Sequence, residues 1–285
     1  RPVTAPGAST CSIVVRWDDH GLEYPLLVDP TWSSTASMAF RRYDFTMFSL
    51  VGAPGCEAGC AIAVGGKTLS GDLHQAELYF FSTRTWVANG GLSSGGIDYP
   101  TRASAAAVLT GNNVVLAGGG SGASTTAAVT NRVWLRTPTV NWTLQAATLP
   151  AARSGLRGAS VDGTGWFVGG ANTTTDLANV EAVSLSGGVV SVTAKPSLPS
   201  GRSDHAYVAM KNTLNTRHLV VGGTLGTTTQ NTIYSWDGVA GAWTLLSSLS
   251  VAREGIGAAV LGSSAYFVGG GGARAWAAAA VAARA

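Results

Sequence analysis

The side chains that most often carry catalysis do not form a recognisable catalytic pattern in this 285-residue sequence. The four histidines, His20, His74, His205 and His218, share no metal-ligand spacing, and none belongs to an HxH or HExxH pair. The nucleophile elbow GxSxG is absent, and no Lys-Ser or Lys-Thr follows residues 118–122 to complete a phosphate-binding loop. The sequence therefore predicts no catalytic residue, no metal and no cofactor.

Arginines at corresponding points of the chain are the strongest candidates for a binding site. They are Arg42, Arg102, Arg153, Arg202 and Arg253. Each precedes a run of small and apolar residues that is typical of a strand. If these strands converge, five guanidiniums meet at one channel mouth, where their bidentate geometry suits an acidic sugar or a peptide carboxylate.

A structural interpretation of these arginines competes with the binding one. Each could instead satisfy backbone carbonyls or pair with Asp44, Asp204 or Glu254 in the same segments, and their regular repetition favours this role. A functional site is expected to break the repeat, which singles out Arg157 and His205 at the same mouth. A general acid–base pair there is the catalytic alternative.

Five apolar runs, each ending in a glycine pair, set the phase of the chain. The pairs are residues 65–66, 118–119, 169–170, 222–223 and 269–270, with a period of about 50 residues. Aromatic or β-branched residues return after the pair, and a Trp then opens a further strand in most repeats. Packing between sheets is expected for Trp32, Trp86, Trp142 and Trp243. A surface position is expected for one of Trp134, Trp166 and Trp236.

These features together resemble the kelch repeat, with Arg before the innermost strand, Gly-Gly after the second and Trp in the fourth. The resemblance covers about residues 32–270. It implies an all-β fold, a kelch-type β-propeller of about five four-stranded blades. The lead-in at residues 24–30 is similar to that of kelch arrays in exported myxobacterial and related bacterial surface proteins.

The two ends suggest how such a ring closes. Trp32 stands ten residues before Arg42, the offset that also separates Trp243 from Arg253. We therefore expect a propeller over residues 32–285, closed by the strand near Trp32, and a β-hairpin lead-in over residues 1–31. Nine of the 13 residues in 273–285 are Ala, which favours helix, but the repeat phase predicts a strand.

The cysteines bear on the cellular compartment. Cys56 and Cys60 flank a short glycine-containing loop, and the sequence offers no further Cys or His pair to complete a metal site with them. A disulfide is the expected state, which indicates an oxidising compartment. Cys11 remains as a free thiol or as a link to another chain.

Composition excludes several classes of partner. Charged residues make up 12% of the chain, the net charge is +3, and the basic residues form no stripe that would follow a nucleic-acid backbone. No apolar run approaches the roughly 20 residues of a membrane span. We expect a secreted or cell-surface bacterial protein whose signal sequence has been removed.

The sequence thus favours a non-catalytic extracellular binding or structural module. Its partner would be a protein or a glycan on the loop face, or neighbouring subunits joined through the N-terminal segment or Cys11. The contact loops are residues 121–131, 172–179 and 224–231. The alternative is a carbohydrate-active enzyme of the oxidase, epimerase or lyase type at the channel mouth.

Overall fold

The described part of the chain is built from β-strands and contains no helix. This computed structural model describes residues 36–50, 56–69, 71–73, 75–91, 93–94, 97–98, 105–120, 129–137, 142–211, 215–239, 241–261, 263–271 and 281–284. The predicted lead-in over residues 1–31, the closing strand near Trp32, Cys11 and Arg102 all lie outside the described residues.

The strands follow one another along the chain with short connections. In order they are β1 (Thr46–Leu50), β2 (Cys60–Val64), β3 (Lys67–Thr68), β4 (Gly71–Asp72), β5 (Gln75–Phe80), β6 (Thr85–Gly91), β7 (Ser93–Ser94), β8 (Ile97–Asp98), β9 (Ala106–Thr110), β10 (Asn113–Ala117), β11 (Arg132–Arg136), β12 (Thr143–Thr148), β13 (Arg157–Val161), β14 (Thr164–Val168), β15 (Val180–Ser186), β16 (Val189–Ala194), β17 (Ala206–Lys211), β18 (Thr216–Val221), β19 (Thr224–Leu225), β20 (Thr228–Thr229), β21 (Thr232–Trp236), β22 (Thr244–Ser248), β23 (Gly257–Leu261), β24 (Ser264–Val268) and β25 (Val281–Arg284).

The long strands form successive antiparallel sheets, each made from one stretch of sequence. Their strand orders are β1-β2-β5-β6, β9-β10-β11-β12, β13-β14-β15-β16, β17-β18-β21-β22 and β23-β24-β25. The first four sheets have the four strands that the repeat predicts. In the fifth, β25 pairs with β24, with Tyr266 opposite Ala282. This part of the alanine-rich stretch is therefore a strand, as the repeat phase predicts.

The second strand of each sheet explains the apolar runs of the sequence. Cys60–Val64 is buried at every position, and four of the five residues of Thr164–Val168 are buried. A strand with buried residues on both faces needs side chains that pack on two sides, so its sequence is a continuous apolar run instead of an alternation. The outer strand Thr143–Thr148 instead alternates half-buried and exposed residues.

The hydrophobic core lies between neighbouring sheets, in four separate layers. One layer joins Ile62 of the first sheet to Leu116 of the second, and the next joins Val115 to Phe167 of the third. A further layer packs Val168 against Val220 of the fourth sheet. The last joins the fourth sheet to the fifth. The second, third and fourth sheets are thus each packed between their two chain neighbours, which is the packing of propeller blades.

The glycine pairs are the points at which one sheet contacts the backbone of the next. The N–H of Gly119 donates to the carbonyl of Arg153, and Gly170 donates to Arg202 in the same way, each at 2.8 Å. Both glycines of each described pair have positive φ, between 63° and 101° in the third and fourth sheets. The repeated Gly-Gly therefore reflects a close approach between blades.

Trp142 and Trp243 occupy the predicted positions between sheets, because both are buried in layers that join neighbouring sheets. Trp86 is half-buried and packs against Tyr79 of its own sheet. The expectation that one of the off-position tryptophans lies at the surface is wrong, because Trp134, Trp166 and Trp236 are all buried. Trp166 and Trp236 pack against each other across the third and fourth sheets, with ring centroids 5.6 Å apart.

Candidate functional site

The repeated arginines hold their own sheets together. Arg42 donates to the carbonyls of Gly65 and Gln75 at 2.8 and 2.9 Å, and its Nη2 pairs with the Glu77 carboxylate at 2.5 Å. Arg153 pairs with Glu181 through the corresponding atoms. All four of these side chains are at least 99% buried. They are therefore enclosed within the protein, away from any ligand in solution.

Arg202 and Arg253 have similar contacts in the fourth and fifth sheets. Arg202 is fully buried, donates to the carbonyl of Gly222 at 3.0 Å and lies 4.8 Å from the centroid of the Tyr234 ring. Arg253 donates to the carbonyl of Gly269 at 3.3 Å. The four described arginines of this set therefore make the contacts that the structural interpretation expects. Arg42 and Arg153 pair with Glu77 and Glu181, however, and not with the carboxylates suggested by the sequence.

Sequence reasoning missed these glutamates, although a signal was present. Glu77 and Glu181 each stand 11 residues after the second glycine of their pair, in a third strand that is otherwise largely apolar. In register they face Ala63 and Phe167 of the second strand. Lone carboxylates at matched positions in a buried strand indicate a buried counter-charge.

A cavity of about 350 Å³ lies where the first strands of the sheets meet. Its walls include Thr46 of β1, Ala106 of β9, Arg157 of β13 and Gly257 of β23, together with Asp204 just before β17. We call it the central cavity. Four of these five residues share one repeat position, the fourth after the repeated Arg, and only the third sheet places a long charged side chain there.

Two carboxylates line the central cavity at a repeat position that holds glycine in the third and fifth repeats. Asp44 and Asp204 have φ values of 53° and 50°, and the corresponding Gly155 and Gly255 have 64° and 61°. Residues other than glycine rarely adopt this conformation, although Asp tolerates it better than most. Strained backbone of this kind concentrates at functional sites. These two aspartates are therefore the strongest candidates that the structure adds.

Arg157 links the third and fourth sheets at this cavity. Its Nε donates to the carbonyl of His205 at 3.0 Å, and its Nη2 lies 3.4 Å from Oδ1 of Asp204. The side chains of Arg157 and Asp204 are 31% and 50% exposed, so both can reach a ligand. Burial raises the pKa of Asp204, Asp44 and Asp176 add to the shift, and Arg157 opposes it.

The imidazole of His205 does not reach the central cavity. The residue is fully buried, and a Cβ built on Gly169 would lie 2.6 Å from its Cε1, so the ring packs against the third sheet. Burial lowers the pKa of His205 well below the ordinary value, and the charges of Arg157 and Arg202 add to that shift. The structure thus brings Arg157 to the cavity but places the His205 ring between blades.

A second buried histidine, His218, also has a pKa that burial lowers. It is fully buried in the fourth sheet, and burial lowers its pKa to about 4, while Asp237 opposes the shift. Its Nδ1 lies 2.8 Å from the hydroxyl of Tyr207, whose own pKa burial raises well above 10. Both histidines are therefore neutral in the folded protein at pH 7.

We expect the protein to lose stability in mild acid because of these histidines. Unfolded His218 takes up a proton near pH 6.5, whereas the folded residue does so only near 4. The unfolded state therefore binds more protons below pH 6.5. The His218 contribution is intact above about pH 7 and falls by about 3 kcal/mol on reaching pH 4. His205 acts in the same direction.

Urea unfolding between pH 7.5 and 4 measures this loss. The raised pKa of Glu181 works in the opposite direction, so the comparison with His218→Gln isolates the histidine contribution. The variant should show a shallower decline in the free energy of unfolding. A decline as steep as that of the parent protein would rule out His218 as the cause.

The predicted cysteine pair is present in the first sheet. The sulfur atoms of Cys56 and Cys60 lie at disulfide distance, 2.15 Å apart, and both residues are buried. Among the described residues, no group of three or more His, Cys, Asp or Glu side chains is arranged to hold a metal ion. The same part of the chain has no helix long and apolar enough to cross a membrane.

The structure resembles a known one, although the sequence matches little. No family model matches the sequence, and no curated protein matches it. The chain is similar in structure to YjhT, with a TM-score of 0.71 at 14% identity over 89% of this chain and 85% of that one. So low an identity shows the fold alone. Together with the four-stranded antiparallel sheets, it identifies a β-propeller-type fold.

Proposed function

We propose that this chain is a non-catalytic binding or structural module of the kelch type, which engages a protein or glycan at the central cavity and its surrounding loops. The observation that carries the proposal is the charged group Asp44, Arg157 and Asp204. These residues replace small side chains or glycine in the repeat, at the wall of the central cavity. Arg157 and Asp204 also connect the third and fourth sheets, but the other repeats carry no charged side chain at these positions, so a ligand is the simplest reason for the group as a whole.

The charges favour a positively charged ligand group. Asp44 and Asp204 line the cavity with one cation, Arg157, and the field of a third carboxylate, Asp176, also reaches Asp204. Arg42 and Arg153 do not offset these charges, because glutamates already neutralise both of them. A basic peptide side chain or the amine of an amino sugar therefore suits the site better than the acidic ligand expected from the sequence.

The loops around this cavity form an ordered platform. The side chain of Asn172 accepts hydrogen bonds from the N–H groups of Thr174 and Thr175, each at 2.8 Å. Asp176 accepts another from the N–H of Gly226 at 2.5 Å, which links the loops of the third and fourth sheets. Loops fixed in this way lose little entropy on binding, which favours a recognition surface.

Location and blade count complete the proposal. The Cys56–Cys60 pair supports an oxidising, extracellular location, as expected of an exported bacterial protein. Five successive antiparallel sheets, four of them four-stranded, support about five blades. Closure of the ring by the strand near Trp32 is part of the same proposal and rests on the repeat spacing of the sequence. Assembly with neighbouring subunits through the N-terminal segment or Cys11 remains part of this proposal.

Replacing both cavity aspartates tests the binding role. Asp44→Asn with Asp204→Asn removes the charge, and Asn tolerates the same positive φ. We expect binding of a pentalysine peptide or a chitosan oligosaccharide to weaken about 3- to 10-fold, and the parent protein's binding to weaken with added salt. Isothermal titration against these two ligands, an oligogalacturonate and a neutral maltooligosaccharide measures the effect.

Glu57→Gln is the matched control, because it removes an exposed carboxylate of the first sheet away from the central cavity. Tighter binding of oligogalacturonate than of pentalysine would contradict the proposed charge preference. Turnover of any glycan that the double replacement abolishes would support the enzyme alternative.

A further inference from the structure

A second cavity of about 300 Å³ lies at the other ends of the strands, between the third and fourth sheets. Its walls come from the β13–β14 turn at Asp162, the β17–β18 connection at Lys211 and the β21–β22 connection at Gly238. Trp166 and His218 also line it. We call it the lateral cavity. It shares no lining residue with the central cavity, so a ligand here is independent of the proposed function.

Aromatic rings hold the His218 imidazole in one orientation. The ring centroids of Trp166 and Trp236 lie 4.5 and 4.9 Å from that of His218, and the Trp236 ring is stacked on it. On the other side, the Tyr207 hydroxyl lies 2.8 Å from Nδ1. A histidine fixed at both faces and at one nitrogen can present only its second nitrogen to a ligand.

The hydrogen bond to Tyr207 determines which proton that second nitrogen carries. The neutral Tyr207 hydroxyl has Nδ1 of His218 as its hydrogen-bond partner. If this buried hydroxyl accepted from Nδ1, its own proton would need another acceptor, so we assign the hydroxyl as the donor and the proton of the neutral imidazole to Nε2. Nε2 is buried and has no hydrogen-bond partner among the described residues. It is thus a fixed donor that needs an acceptor.

Trp166, which also lines the lateral cavity, carries a second orphaned donor. Its indole Nε1 is also buried and without a hydrogen-bond partner in the described part of the chain. An indole N–H can only donate, so both orphaned groups require acceptor atoms. Buried donors left in this state destabilise the protein, and a ligand oxygen that accepts from them would remove that cost.

The remaining lining residues restrict the charge of the ligand. Lys211 pairs with Asp162 at 2.9 Å, and Oδ1 of Asp237 accepts from the N–H of Val239 at 2.9 Å. Carboxylates in the lining disfavour an anion, and the two N–H donors disfavour an ammonium group, which accepts no hydrogen bond. A neutral group that both accepts and donates, namely a hydroxyl, satisfies the donors and the carboxylates together.

We infer that the lateral cavity binds a neutral, hydroxyl-rich ligand the size of one saccharide unit, held by Nε2 of His218 and Nε1 of Trp166. A volume of about 300 Å³ accommodates a single monosaccharide. Gly238 closes one side of the cavity, and a Cβ added to it would lie 3.5 Å from Nε2. The absence of a side chain there leaves room for a ligand oxygen.

Ligand titration followed by NMR tests this inference. We expect millimolar glucose, galactose, mannose or N-acetylglucosamine to produce a saturable shift of the Trp166 indole N–H resonance with at least one of these sugars. Trp166→Phe keeps an aromatic ring but removes the indole N–H donor, so it should weaken binding about 3- to 10-fold in ligand-observed spectra. Gly238→Ala should weaken it by a similar factor, because its methyl group covers Nε2.

The control for Gly238→Ala is Gly187→Ala. Gly187 also has positive φ, 57° against 78°, but a Cβ there meets nothing within 4 Å. It should leave sugar binding unchanged, as should the double replacement Asp44→Asn with Asp204→Asn, which separates this site from the proposed one. The inference is overturned if no sugar shifts the Trp166 resonance while sodium acetate or methylammonium does, if none of these probes shifts it, or if Trp166→Phe and Gly238→Ala bind as the parent does.

Discussion

Arg153→Met is expected to lower the free energy of unfolding by about 3–5 kcal/mol at pH 7.5. The side chains of Arg153 and Glu181 are 0% and 1% exposed, and they form an ion pair inside the third sheet. Without Arg153, the Glu181 carboxylate remains buried with no counter-charge. Burial already raises the pKa of Glu181 with Arg153 present, and its removal would raise that pKa further.

The loss of unfolding free energy in Arg153→Met should be smaller at pH 5 than at pH 7.5. In the variant, the folded state can hold a proton on Glu181 at a pH where the unfolded state has released it. The folded state then binds more protons, so its stability rises as the pH falls from 7.5 towards 5. Urea unfolding at both pH values should therefore show a smaller difference from the parent protein at pH 5.

Two further variants identify the cause of the loss. Lys211→Met breaks the exposed pair with Asp162, whose side chains are 58% and 49% exposed, and should cost less than about 1 kcal/mol. Arg153→Met combined with Glu181→Leu removes both buried charges and should recover most of the stability lost in the single variant. A double variant as unstable as Arg153→Met would mean that packing, and not charge, sets the effect.

The strands could be predicted well from the sequence because each repeat carries the same residue types at the same positions. Glycine pairs, apolar runs and small residues recur in phase, so one ambiguous segment is interpreted from the others. The third repeat lacks the tryptophan of the fourth strand, yet its residues 190–192 lie in β16 as the phase requires. The repeat phase therefore predicted this strand correctly, although its residues differ from those of the other repeats.

Contacts between strands were harder to predict, because strand register decides them. The arginine set was visible in the sequence, but its carboxylate partners lie 28 to 35 residues further along the chain. Which third-strand residue faces the guanidinium depends on the pairing of Ala63 with Glu77 and of Phe167 with Glu181. The repeat gives the order of the strands but no direct statement of their register.

The candidate sites were difficult to predict, because they are defined by backbone conformation and by contacts between sheets. Asp44 and Asp204 stand out because they adopt the positive φ of a glycine position, which becomes evident only when the backbone is known. The lateral cavity brings Trp166 together with His218 from a neighbouring sheet, 52 positions later in the chain. Neither residue occupies a repeated position that would have drawn attention to it.

Gly169→Ala is expected to cost about 4 kcal/mol, although it adds a single methyl group. Gly169 has a φ of +63°, and a Cβ there would lie 2.4 Å from the carbonyl oxygen of Arg202 and 2.6 Å from Cε1 of His205. Left-handed backbone costs a non-glycine residue about 1–2 kcal/mol, and overpacking against atoms that cannot move away adds about 1–3 kcal/mol. Thermal and urea unfolding measure the sum.

Gly187→Ala separates these two contributions, because Gly187 has a φ of +57° with nothing within 4 Å of the added Cβ. It should cost only the backbone contribution, about 1–2 kcal/mol. The difference between the two variants then measures how closely the third and fourth sheets approach. Gly222→Ala, whose Cβ would lie 2.4 Å from the carbonyl oxygen of Arg253, should match Gly169→Ala.

If Gly169→Ala and Gly187→Ala lose equal stability, the glycine pair reflects local turn geometry alone. If Gly169→Ala and Gly222→Ala lose clearly more, the pair recurs because the second, third and fourth blades each leave room only for a hydrogen atom beside the arginine carbonyl of the next.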